Sequence, residues 1–301
     1  DEATNTVKGV KARNVVTDQE YIINAKAVIM GCGGFGSNPE LMETLLDPRW
    51  AGAHKSLGFG TDTGLMMQAA LNIGAGTWNA DMSPIIMHLG LPHYLNKYEI
   101  NQDESKLVGR TGRYATWTLD DVPLGLGLRG DSIAVDTNGK RFGNESKLMS
   151  FAPDIKGQSF CSYVTGPYFY SLFTQSQASK IAANGFTTIP RWEGYVSRGG
   201  VPDELPIPEM DDILNYAIEA NMMWKADTLA DLAAQINIDP LALEETVNEY
   251  NAACEAGEDT AFGKAPEFLS AYGDGPFYAV QIMNVAFSTI GGLDVDPQIR
   301  V

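Results

Sequence analysis

The chain is poor in basic residues, in histidine and in cysteine, and each shortage excludes something. Lysine and arginine number 21 against 38 aspartates and glutamates, for a net charge of −17. A surface of that sign repels phosphate backbones and anionic headgroups, which excludes nucleic acid and anionic membrane surfaces as partners. The surplus carboxylates do not argue for a cationic substrate, because most such groups are simply solvated. Cys32, Cys161 and Cys254 stand far apart, with no CxxC pair and no CxxCH haem site. His54, His88 and His93 are the only histidines, and their spacing suits no metal, so none is expected. No apolar run approaches the ~20 residues of a membrane-spanning helix, so no membrane insertion is expected. No signal peptide opens the chain, which starts at Asp1 rather than methionine. The expectation is that an upstream part has been removed, and localisation stays open. Repeats and low-complexity segments are missing too.

What is present is organised around Ala25–Gly36. Ala27 to Met30 is an apolar run of the kind that fills a buried strand. It empties into glycines at 31, 33, 34 and 36. A buried strand that ends in a glycine turn is a cofactor-binding arrangement in α/β proteins, or else only a strand and its loop. Residues 7 to 16 and 21 to 23 read as a hairpin leading into this strand. Asn38-Pro39 starts a short helix through Leu46, as N-cap and N1. Gly58 to Gly64 is a second glycine-rich loop; Thr61 or Asp62 is expected to cap the helix that follows, and Gly74 to end it. Residues 76 to 98 read as irregular and apolar.

Further on, Ile133 to Phe142 is a hairpin turning at Asn138-Gly139. Tyr168 to Phe173 is an aromatic strand, and Gln175 to Asn184 a helix. Pro208 to Lys225 carries apolar residues at helical spacing. Thr228 opens a helix to Gln235 with Asp231 in place of the usual Glu of a capping box. Asp239-Pro240 opens the next, which Gly257 stops. Pro276 to Ile282 returns to a strand, Thr289 to Leu293 is another glycine turn, and the end at Val301 reads as a strand.

Together the stretches Ala25–Asn38, Gly60–Ala75, Asp136–Glu145 (a GxRFxNE pattern), Thr228–Lys264, Pro276–Val280 and Thr289–Leu293 resemble one family. It is the FAD-dependent fumarate reductase/succinate dehydrogenase flavoprotein group, with its flavocytochrome c and 3-ketosteroid dehydrogenase relatives. The resemblance covers nearly the whole chain but not the whole family: no GxGxxG opens a strand–helix unit, and the family's closing Gly-Glu segment does not follow. It implies a central piece, an α+β capping (clamp) domain joined to a partial α/β FAD-binding domain that lacks its N-terminal βαβ unit. The expected boundaries are 1–83 for the partial FAD-binding domain, 84–287 for the capping domain that meets substrate, and 288–301 for the return.

The resemblance implies hydride transfer between FAD and a carbon–carbon double bond, with FAD held weakly or not at all by this piece alone. Partners would be a small-molecule substrate and an electron-donor domain or protein. Gly33, Gly34, Phe35, Thr61, Thr63 and Gly64 would meet the cofactor; the carboxylate of the family's Thr-Gly-Asp-Gly has moved to Asp62, which leaves that residue's part open. Where fumarate reductases carry histidines, this chain has Ser83 and Ser288, with Phe287 beside the latter. Ser83, Phe287, Thr289 and Gly291 would line the substrate, and Glu145 and Ser288 are the catalytic candidates. Lys147 is the nearest cation to Glu145, and Tyr168 and Tyr170 are further proton donors or core. Serines at 83 and 288 read equally as loop residues bonding the local backbone, Glu145 as a salt-bridge partner, and Arg141 as structural. Clamping two carboxylates takes cations, typically arginine, so the expectation is a less charged, aromatic or polycyclic substrate rather than fumarate. The alternative is an isolated capping domain with a binding or assembly role.

Overall fold

The computed structural model describes residues 1, 3–4, 6–46, 55–56, 61–82, 85–90, 122–147, 168–186 and 206–301. In chain order its elements are β1 (Gly9–Arg13), β2 (Glu20–Asn24), α1 (Pro39–Leu45), β3 (Lys55–Ser56), α2 (Leu65–Asn72), β4 (Thr77–Trp78) and β5 (Ile85–Gly90). There follow α3 (Val122–Gly127), β6 (Ile133–Val135), β7 (Tyr168–Thr174), α4 (Gln175–Asn184) and α5 (Met210–Glu219). The last are β8 (Met223–Ala226), α6 (Leu229–Gln235), α7 (Pro240–Ala256), β9 (Phe277–Ser288) and β10 (Gly292–Leu293).

The central sheet runs β3-β9-β7-β6, with β5 and β8 also paired to β9. β9 is its hub: antiparallel to β7, β8 and β5, parallel to β3. The period-2 alternation of strand side chains divides its two faces. Tyr278, Val280 and Ile282 of β9 join Phe169 and Phe173 of β7 under α3, α4 and α5. Phe277 and Ala279 join Tyr170 and Leu172 under α6 and α7. Phe173 and Tyr278 face each other across the ladder, rings stacked at 5.0 Å. A third cluster, Phe35, Leu41, Met42, Leu46, Met67 and Ala80, packs α1 against α2.

The caps follow local chemistry. Asn38 accepts from Leu41 N–H at 3.0 Å, Thr228 from Asp231 N–H at 3.1 Å, and Asp239 from Leu241 N–H at 3.0 Å. The Asp231 carboxylate accepts the Thr228 hydroxyl at 2.7 Å, so the aspartate completes a contact of its own. Gly257 ends α7 at φ 70, and Gly139 turns its hairpin at φ 76.

Five expectations need correction. Ala27 to Met30 forms no strand: among the described residues nothing pairs with it, and Ile29 is 95% exposed. An apolar run becomes a buried strand only where a sheet receives it. The apolar spacing of 208–225 is not one helix; α5 stops at Glu219, Asn221 takes φ 55, and β8 leaves to pair with β9. The stretch after Gly76 contains β4 and β5, which pair with β10 and β9. Val301 ends no strand; Asp296 N–H instead bonds Arg300 O at 2.9 Å in a turn. Neither Thr61 nor Asp62 caps α2, whose N-cap is Gly64 at φ 65.

Candidate functional site

Three loops meet at glycines. Gly64 N–H donates to Gly34 O at 3.1 Å, and Ser37 N–H to Asp62 O at 3.0 Å. Asn38 Nδ2 donates to Thr63 O at 2.8 Å, and Ser37 Oγ donates to Asp62 Oδ1. A Cβ on Gly34 would lie 2.6 Å from Thr289 Oγ1, one on Gly36 2.8 Å from Asp62 Oδ2, and one on Gly64 2.5 Å from Leu41 Cδ1. A Cβ on Gly291 would strike Asn79 O at 2.1 Å. Segments 33–37 and 61–64 therefore touch along their backbones, Thr289 sets its side chain on Gly34, and Gly291 backs onto Asn79. Gly31 and Gly33, by contrast, face open space and are exposed, Gly33 at φ 80. An exposed main chain without side chains, next to exposed Thr61 and Thr63, admits a flat polar group at close approach. These residues fit an FAD. Phe35 is fully buried and anchors the loop to α1 and α2 rather than presenting its ring.

Ser288 is exposed, and its hydroxyl donates to the Thr289 carbonyl at 3.0 Å. Phe287 lies in the backbone of β9, and Ser83 lies outside the described residues.

Glu145 belongs to a different cluster. It is fully buried, in a short 3-10 turn after the hairpin. Its carboxylate accepts from Arg141 Nε at 2.8 Å, Arg141 Nη2 at 2.7 Å and Ala134 N–H at 3.1 Å, and pairs with Lys264 Nζ at 2.9 Å. Arg141 Nη2 also reaches Asp259 Oδ2 at 2.9 Å, and its guanidinium lies 4.9 Å from the Tyr250 and Phe262 ring centroids. Lys264 Nζ donates to Ser132 O at 2.7 Å. Burial opposes the charge on Glu145, but Lys264 and Arg141 outweigh it and hold the carboxyl below its ordinary range. Burial likewise opposes the Asp259 charge, and Arg141 overcomes it. For Lys264 burial wins, and its ammonium is held below the ordinary lysine value. A carboxylate so saturated is a fixed anion, poorly suited to give up a proton near neutrality. Lys264, not Lys147, is its second cation; sequence spacing gave no sign of it.

Nearby, the buried Tyr272 hydroxyl accepts from Ile133 N–H at 3.0 Å and donates to Leu172 O, bridging two residues that face each other in the β6–β7 ladder. Tyr170 is buried, its phenol pushed up to about 12 by burial and then by Tyr168, which leaves it a weak proton donor. Among the described residues no group of three or more His, Cys, Asp or Glu is arranged to hold a metal, and no helix is long and apolar enough to cross a membrane.

Comparison with known proteins gives the family. A family model described as an FAD binding domain matches residues 2–301, so the chain belongs to that family of flavoproteins, whose cofactor is FAD. Within it, the relatives are those of the fumarate reductase-like group. The chain is 27% identical to a vinyl phenol reductase of Lactiplantibacillus plantarum, over 96% of this chain and 53% of the relative. It is 24% identical to a urocanate reductase of Eggerthella lenta, over 100% of this chain and 41% of the relative. The fold is shared with a 3-ketosteroid delta1-dehydrogenase from Sterolibacterium denitrificans, with a TM-score of 0.57, 20% identity, and coverage of 98% of this chain and 47% of that one. The chain thus spans about half the length, or less, of the relatives it matches.

Proposed function

We propose that the chain is the central piece of a flavin-dependent oxidoreductase acting on a carbon–carbon double bond, with a pocket for a neutral, apolar or aromatic substrate. The observation that carries it is the close packing of loops 33–37 and 61–64, with Thr289 against Gly34, beside the open, exposed main chain at Gly31 and Gly33. Bound FAD would supply the hydride exchanged with the double bond. Gly33, Gly34, Thr61, Thr63 and Gly64 would hold the cofactor through backbone and hydroxyl groups, with Phe35 as the anchor beneath. Ser83, Phe287, Ser288, Thr289 and Gly291 would line the substrate. None of these five is a cation, and so they favour an uncharged substrate over a dicarboxylate. Ser288 is the candidate polar group at the reacting end, and Glu145 acts at a distance as a positioning anion. Relatives named for reducing vinyl phenol and urocanate support the alkene chemistry. In this reading the divisions fall at 1–83, 84–287 and 288–301, and electrons arrive from a further domain or protein.

A binding or assembly role is the second reading, favoured by the run Ala27 to Met30, which has no strand partner among the described residues and exposes Ile29. The test begins with the absorbance spectrum and an FAD fluorescence titration of the purified chain, then turnover by the longest available form with 4-vinylphenol, urocanate, acrylate and fumarate. Flavin bands with vinylphenol turnover are expected of the longest form, and weak FAD binding or none of the chain alone. Efficient fumarate turnover would sink the neutral-pocket reading, and saturating FAD without turnover of any alkene would favour binding over catalysis.

A further inference from the structure

We infer that Ser37 and Asp62 form a clasp that positions the two cofactor loops against each other, and that Asp62 acts on FAD only through Ser37. This deepens the FAD reading of these loops and rests on it.

Four contacts converge there. The Ser37 hydroxyl donates to Asp62 Oδ1, and the Ser37 N–H to Asp62 O at 3.0 Å. One residue on, Asn38 Nδ2 donates to Thr63 O at 2.8 Å. On the other side, Gly64 N–H donates to Gly34 O at 3.1 Å. The second Asp62 oxygen, Oδ2, lies 2.8 Å from where a Gly36 Cβ would stand, so the carboxylate is packed on the glycine turn. Asp62 is half-buried, whereas its neighbours Thr61 and Thr63 are exposed. The alternation sends the carboxylate inward to the first loop and leaves the two hydroxyls outside it. That answers what the displaced acid does: it accepts a charge-assisted hydrogen bond between the loops. Loop position matters because a backbone cradle binds through several N–H and C=O groups at once, and a shift of about an ångström loses several of them together.

The test uses Ser37→Ala, Asp62→Ala, the double variant and Asp62→Asn in the longest available form. Amide hydrogen exchange reports the clasp without any cofactor. Faster exchange at Ser37 and Gly64 is expected in both alanine variants, with the double variant no worse than either. Near-normal exchange is expected for Asp62→Asn, which keeps the acceptor oxygen. The midpoint of urea unfolding should hardly move, separating a local clasp from a general loss of structure. FAD titration is expected to show about tenfold weaker binding in the alanine variants and recovery in Asp62→Asn. Unchanged exchange at Ser37 and Gly64 overturns the clasp. Faster exchange with undiminished FAD affinity overturns its positioning role. An unmodified longest form that leaves FAD free overturns the FAD reading of these loops, whatever the exchange shows.

Discussion

Lys264 is buried among groups that the chain reaches only by folding. Its ammonium pairs with Glu145 and tips toward the Tyr250 ring, 4.7 Å from the centroid. Removing one partner of a buried pair strands the other's charge, so Glu145→Gln or Lys264→Met should destabilise by about 3–5 kcal/mol, read from urea unfolding. The pH dependence has a definite sign. Glu145 and Asp259 are held below their ordinary values in the folded chain. Their contribution is therefore fully present above the unfolded carboxylate value of ~4 and is lost as pH falls through the depressed folded values. Unfolding midpoints should drop below about pH 4, and Glu145→Gln should flatten that limb. Tyr272→Phe keeps the ring but leaves Ile133 N–H without its acceptor and Leu172 O without its donor. A loss of about 1–3 kcal/mol is expected in the same assay.

Among elements, the capped helices were legible because their signals are local. Asn38-Pro39, Thr228 with Asp231, and Asp239-Pro240 with Gly257 act within one turn of the chain, and each stands where its residue types require. At α4 the capping box of Thr174 and Gln177 also ties the end of β7 to the loop before β9, since Gln177 Nε2 reaches Ser270 Oγ at 3.2 Å. Thr174→Ala should cost about 1 kcal/mol, measured by chemical denaturation. Strands were less legible. β8 carries Met223 and Trp224 at a spacing that continues the α5 pattern, and only the turn at Asn221 and the waiting edge of β9 make it extended. Ala27 to Met30 shows the converse: strand composition with no sheet to join among the described residues.

At the scale of the molecule, several of the most exposed apolar side chains among the described residues lie on the β1–β2 hairpin and the segment after it. Val15, Val16, Ile22 and Ile29 are 93%, 89%, 79% and 95% exposed. Patches of that kind drive association. Ile22→Thr with Ile29→Ser should therefore reduce self-association in light scattering while leaving the unfolding midpoint unchanged. The sequence by itself determined the acidic surface, the capped helices, the hairpin at Asn138-Gly139, the glycine loops and the flavoprotein family, because each rests on residues close together in the chain. Tertiary structure alone decided that the loop carboxylate Asp62 turns to Ser37, that Glu145 answers to Lys264 as well as Arg141, and that Tyr272 sits in the ladder between β6 and β7. Those choices depend on which distant groups burial brings within hydrogen-bond reach, and burial is a property of the packed chain, not of any stretch of it.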